Sequence, residues 1–225
     1  MHPGSPGGEL ADIAARVTAC QLCRLCHDRR NSVPGRGNAH ADIMFVAEAP
    51  GYHEDRSGEP FTGDGGALLD QMLESIGVAR DDVWLTTVLK CRTPRSRSPF
   101  PDEVEQCEGY LFREIALVQP TVICALGNTA ARVLTGRPVN VGETHGSAQQ
   151  LTLGGRQVIV VPLYHPAAVV QVPPLIPVLK SDFSQIPRLV RDGISAPSSR
   201  VANVVIQHPE TPDDDSDPQL SLTIG

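Results

Sequence analysis

Four of the six cysteines stand in an arrangement that can ligate metal. Cys20 and Cys23 form a C-x2-C pair, and Cys91 and Cys107 follow far downstream with fifteen residues between them. Two ligands from a tight turn and two from the flanks of a loop can surround one tetrahedral ion or one iron–sulfur cluster. Thiolates suit zinc and iron–sulfur about equally well. Cys26 extends the first run to C-x2-C-x2-C and competes as a ligand. Cys124 lies inside an apolar run, where a thiol acts as a small buried hydrophobe. A thioredoxin-like pair is disfavoured, because Cys20 and Cys23 precede the first strand instead of following one.

These residues hang on an alternating pattern of elements. Residues 10–18 have helical spacing and lead into the first cysteines. Residues 42–47 (DIMFVA) suit a buried strand that ends at Pro50-Gly51. Residues 65–76 carry apolar side chains at three- and four-residue spacing, residues 83–89 form a second strand, and residues 101–118 form a long helix with Pro101 in its first turn. Residues 121–126 (TVICAL) form a third strand, a helix runs on to 134, and residues 158–163 form a fourth strand. Such alternation predicts a three-layer α/β/α domain around a mainly parallel four-stranded sheet. Ligands in such sheets bind beyond the carboxyl ends of the strands, which directs attention to the segments opening at Glu48, Lys90 and Tyr164.

The 225 residues suffice for one substantial domain, and 40% hydrophobic with 20% charged content is that of an ordinary globular chain. The divisions expected are a loose N-terminus over 1–8, a domain over 9–192 and an acidic, disordered tail over 193–225. No apolar run reaches the roughly 18 residues of a membrane span. The first residues do not resemble a secretory signal, so the expected compartment is the cytoplasm, where thiols stay reduced. A monomer is expected. The net charge of −7 is unevenly spread. Five acids after Gly193 face only Arg200, whereas 24–36 holds five Arg or His beside Asp28, and 86–100 holds Lys90, Arg92, Arg95 and Arg97 with no acid. Short basic segments can meet phosphates even in an acidic protein. Composition alone neither requires nor excludes nucleic acid.

Several blocks, in order from about residue 9 to 190, resemble the family 4 uracil-DNA glycosylases of bacteria and archaea. They are C-x2-C-x-L at Cys20, Cys23 and Leu25, and VPGRGN at 33–38. AEAPGYHEDRSGEPFTGDGGALLD at 47–70, VLKCRTPRSRSPFPDEVEQC at 88–107, ALGNTAARVLTG at 125–136 and YHPAAVV at 164–170 complete the set. The resemblance implies the same α/β/α domain, a 4Fe–4S cluster in preference to zinc on Cys20, Cys23, Cys91 and Cys107, and no ligand role for Cys26. It also implies DNA as the partner, held near the nucleoid.

Cleaving a base from deoxyribose passes through a cationic sugar while negative charge leaves on the base. The site must hold an extruded nucleotide and stabilise both charges. By the resemblance, Glu48 orients water and stabilises the sugar cation, with Glu54 and Asp55 next in line for that work or else structural. Ala49, Pro50 and Gly51 shape the loop, Phe61 stacks on the uracil, and His165 donates to the departing O2. Residues 167–171 press into the DNA.

The chain also departs from that family. Ala47 replaces the first glycine of GEAPG, a mild change. Thr87 stands where the family has an asparagine that reads the uracil edge. One rotating hydroxyl cannot reproduce a paired amide contact. Weaker uracil discrimination, slower catalysis or another deaminated base is therefore expected. Without a basic, histidine-bearing insertion after Lys90, stable covalent adducts with DNA are not. The alternative to an enzyme is a cluster-bearing DNA-binding module, and a zinc-clasped nucleic-acid protein is a more distant third.

Overall fold

The computed structural model describes residues 5–193. Its elements in order begin with α1 (Pro6–Ala19), α2 (Leu25–Asp28), β1 (Arg36–Gly37), β2 (Ile43–Ala47), α3 (Tyr52–Ser57) and α4 (Asp64–Ser75). There follow β3 (Trp84–Thr87), α5 (Pro101–Val118), β4 (Val122–Leu126), α6 (Asn128–Thr135) and α7 (Val141–Thr144). The last are β5 (Gln149–Leu153), β6 (Arg156–Leu163), α8 (Pro166–Gln171), α9 (Ile176–Ser184) and α10 (Ile186–Asp192).

The four expected strands are β2, β3, β4 and β6. They lie parallel in one sheet of order β1-β3-β2-β4-β6-β5. Two strands were not expected: β1 and β5 pair antiparallel to β3 and β6 at the two edges, so the sheet has six strands. Every residue of β2, β3 and β4 is buried, as a sheet covered on both faces requires. Alternate residues serve two cores. Met44, Val46, Trp84, Ile123 and Ala125 face a core shared with α1, α5 and α6, while Ile43, Phe45, Leu85, Val122 and Cys124 face one shared with α4, α9 and α10. This is the three-layer α/β/α arrangement.

Helix α1 begins at Pro6, inside the stretch expected to be loose. The Ser5 side chain accepts a hydrogen bond from the Gly8 amide at 3.2 Å and Pro6 occupies the first turn, a start signal that apolar spacing alone does not register. Its buried Leu10, Ile13 and Val17 lie against α5. The expected tail after 193, with VANVVI at 201–206, falls outside the described residues. Among the described residues no helix is long and apolar enough to cross a membrane.

Register brings the carboxyl ends of the parallel strands level. Ala47 pairs with Thr87, and Leu126 with Leu163. Because β2 has β3 on one side and β4 on the other, successive connections leave it in opposite directions, opening a crevice at its carboxyl end.

Candidate active site

At that end lies a cavity of about 270 Å³ lined by Ala49, Pro50, Gly51, Phe61, Thr87 and His165, with Glu54 and α8 residues Ala167, Val170 and Gln171 completing the wall. Residues 167–171, expected to press into the DNA, belong to the short helix α8. Helix α4 approaches it so closely that a Cβ on Gly65 would stand 2.9 Å from that of Ala167.

Phe61 holds a left-handed backbone (φ 56°) that bulky residues rarely adopt. Arg80 supplies the restraint, donating through Nη2 to the carbonyls of Pro60 (2.8 Å) and Phe61 (2.9 Å) while Nη1 pairs with Asp70 at 2.6 Å. The Phe61 carbonyl also rests against Gly66, where a Cβ would sit 1.9 Å from the oxygen. Gly66→Val is therefore expected to displace Phe61, raising KM for substrate at least tenfold and lowering the melting temperature. Wild-type values for both would rule the role out. The Phe61 and His165 rings lie near-parallel (19°) with centroids 6.3 Å apart.

His165 is the N-cap of α8: its Nδ1 accepts from the Ala167 amide at 3.0 Å. A neutral ring must then carry its proton on Nε2. Burial pushes its pKa down to about 4, with the Glu54 charge opposing weakly. The ring is thus a neutral donor at physiological pH. In an unfolded chain it titrates near 6.5, so the unfolded state binds more protons between about 6.5 and 4. This contribution to stability falls as pH drops through that window.

Glu54 is a structural clamp. Its carboxylate accepts from the amides of Thr62 (2.8 Å), Gly63 (3.1 Å) and Gly51 (3.0 Å), tying the two cavity loops together. Asp55, buried, accepts from the Arg30 amide at 2.9 Å. Both carboxylates thus hold backbone amides in place. Glu48 is not among the residues lining the cavity. Its backbone carbonyl accepts from the Leu89 amide at 3.0 Å, and its carboxylate accepts from the Thr129 hydroxyl in the first turn of α6, across the crevice. A carboxylate is favoured there by the helix dipole. Thr129 had no signal in the sequence beyond its place in ALGNTAARVLTG.

Thr87 is buried in the cavity wall, and its hydroxyl donates to the Leu89 carbonyl at 2.5 Å. What this residue can offer a ligand is an oxygen lone pair, with no second donor.

Four residues of the basic stretches are paired with carboxylates inside the fold. Lys90 is fully buried and donates to Glu114 (2.9 Å), the Thr86 hydroxyl (2.6 Å) and the Thr87 carbonyl (2.9 Å), so it cannot face phosphate as its position in 86–100 suggested. Arg97 binds Glu103 through both terminal nitrogens (2.8 and 2.6 Å) and holds that carboxyl below the usual range. Arg24 pairs with Asp102, and Arg36 with Glu59. Arg92 and Arg95 carry no carboxylate partner among the described residues.

The thiols of Cys20, Cys23, Cys91 and Cys107 gather where α1, the loop after β3 and α5 meet, near enough for their charges to help raise the pKa of Cys23, Cys91 and Cys107. Burial is the larger cause, and it pushes Cys107 up to about 12. Two N–H donors point at the sulfurs: Arg29 Nη1 at Cys91 Sγ and the Lys90 amide at Cys107 Sγ, both 3.2 Å. Arg29 also binds the carbonyls of Thr18 (3.0 Å) and Cys20 (2.9 Å), a role that sequence reasoning missed. Cys26 lies beside the group and acts electrostatically on Cys23 and Arg29. Among the described residues no three His, Cys, Asp or Glu side chains converge on a single-ion site. Cys124 is buried in β4, its thiol pushed upward by burial alone.

A mainly parallel α/β/α sheet with a cavity of about 270 Å³ at the carboxyl ends of its strands defines a doubly wound class of ligand-binding folds. Within that class, the family model for the uracil DNA glycosylase superfamily matches residues 34–185, and the chain belongs to that superfamily. It is 43% identical over 184 residues to a type-4 uracil-DNA glycosylase of Archaeoglobus fulgidus, covering 80% of this chain and 92% of the relative. It is 40% identical over 179 residues to the type-4 enzyme of Saccharolobus solfataricus (77% and 83% covered), and 40% over 161 residues to that of Thermotoga maritima (71% and 82%).

Proposed function

We infer that the chain is a DNA-repair glycosylase that hydrolyses the N-glycosidic bond of uracil, or a related deaminated base, and leaves an abasic site. The observation that carries this reading is the single cavity joining Phe61, Thr87 and a neutral, Nε2-protonated His165 at the carboxyl ends of the strands. An extruded uracil would stack on Phe61 with its edge toward Thr87. As the C1′–N1 bond breaks, the electron pair leaves on the base, and His165 Nε2–H stabilises it at O2 without transferring a permanent charge. Water adds to C1′, losing its proton, and the base gains one. Glu48, whose carboxylate accepts from the Thr129 hydroxyl, would offset the sugar cation.

Cys20, Cys23, Cys91 and Cys107 would hold a 4Fe–4S cluster. When bound it cross-links the N-terminal helix to the loop between β3 and α5 by Fe–S bonds. Two observations support the fit: N–H donors aim at two of the sulfurs, and the buried thiols need positive charge to ionise.

The deciding test is excision of uracil, hypoxanthine and xanthine from single- and double-stranded oligonucleotides, with Glu48→Ala as control. Uracil release that depends on Glu48 is expected. Tight DNA binding with no release from any substrate would instead favour a non-catalytic DNA-binding module, the reading that the committed Thr87 hydroxyl keeps open. The pH profile is a second test. Because His165 stays neutral down to about pH 4, its protonation is expected to leave kcat/KM intact near pH 6.5. An acid limb at 6.5 that disappears in His165→Asn would contradict this.

A further inference from the structure

We propose that Tyr52, Arg56 and Arg92 form a clamp for the DNA backbone phosphate next to the extruded nucleotide, a contact that rests on the glycosylase reading. Tyr52 lines the cavity, yet 53% of it is exposed, an unusual position for a large aromatic side chain. Two guanidinium groups share its ring, with their central carbons 5.6 Å (Arg56) and 5.3 Å (Arg92) from the centroid, inside the range of cation–π attraction. Arg56 Nη1 also donates to the Tyr52 hydroxyl at 3.3 Å.

The charge around this ring is unbalanced. Among the described residues neither arginine forms an ion pair, in contrast to Arg24, Arg36 and Arg97. Gathering two cations on one ring costs repulsion that a bound anion would relieve. A second observation points the same way. Arg92 Nε is buried and has no hydrogen-bond partner, so no group in the fold offsets that side of the guanidinium. The ligand must therefore be anionic and rich in acceptors, and it must lie at the mouth of a cavity that takes a base. A phosphodiester meets all three conditions, and arginine binds its paired oxygens well. Arg92 directly follows Cys91, so the thiol group that anchors this loop also sets where one arm of the clamp stands.

The test uses the full chain and a uracil-containing single-stranded oligonucleotide, with Kd measured by anisotropy across a salt series and kcat and KM in parallel. Arg56→Gln and Arg92→Gln are each expected to flatten the log Kd against log salt slope by about 0.7. KM should rise roughly tenfold, as for one lost charge-assisted hydrogen bond, with kcat little changed. Tyr52→Ala, which removes the ring that holds both guanidinium groups, should raise KM at least as much as either arginine variant. Inhibition by free uracil, which has no phosphate, should be the same in both arginine variants as in the wild type. Wild-type slopes and KM in both arginine variants would overturn the clamp, as would a loss confined to kcat. Arg56 lies on α3, far in sequence from any cysteine, so its variant decides the matter if Arg92→Gln does not fold. A wild-type protein that binds the oligonucleotide but releases no base would overturn the glycosylase reading instead, and the slopes would still judge the clamp.

Discussion

Lys90→Met is expected to destabilise the fold by about 3–5 kcal/mol, the cost of leaving a buried carboxylate without its counter-charge. Glu114 would keep only the Thr86 hydroxyl (2.6 Å) and the Gly35 amide (3.1 Å) as donors in a position that water does not reach. Equilibrium urea unfolding measures the loss. The double variant Lys90→Met/Glu114→Leu should recover most of it, because removing both charges also removes the desolvation penalty. A single variant within about 1 kcal/mol of wild type would mean that the pair is weak or solvated. The lysine has local work as well. Its ammonium fixes the Thr87 carbonyl, and its own amide donates to Cys107 Sγ, so one residue links the thiol group to the cavity wall.

Thr87→Asn is expected to raise kcat/KM for uracil on the order of 10²-fold, the scale of one added donor facing charge that develops in the transition state. The threonine spends its only proton on the Leu89 carbonyl, so at most it accepts from the base. An asparagine amide could give and accept at once, and hypoxanthine or xanthine, with different edges, should not gain equally. Unchanged excision of uracil in both single- and double-stranded DNA would show that this position does not read the base.

Much of this architecture was legible because burial on both faces writes a plain signal. The runs 42–47 and 121–126 contain almost no polar residue, and they became β2 and β4 with ends shifted by a residue. The edge strands carried a weaker one. β1 is two exposed residues, and β5 opens with Gln149 and Gln150. The pair Gly154-Gly155, both at positive φ (57° and 77°), is a hairpin signal that went unread, and it explains why β6 starts at Arg156 instead of Val158. Proline obscured the helices after His165, since Pro166, Pro177 and Pro187 occupy first turns where they start helices instead of breaking them.

The site divides in the same way. Residues that line the cavity belong to contiguous motifs and could be named from the sequence. Residues that hold them could not, because Arg80, Thr129 and Arg29 act on backbone or side-chain atoms many positions away. The basic stretch at 86–100 misled for a related reason. Its counter-charges Glu103 and Glu114 lie on the next helix, and only folding brings them under Arg97 and Lys90.

Cys124 offers a different kind of opportunity. It sits in the middle of β4, between Phe45 and Val161 on the neighbouring strands, while the other five cysteines lie near or within the thiol group. An alkylating reagent reaches a sulfur in that position only when the central sheet itself separates. The time course of Cys124 modification is thus a built-in clock for global opening, readable by mass spectrometry without any introduced probe, and it can be compared with the earlier loosening of the cysteine loops in the same sample.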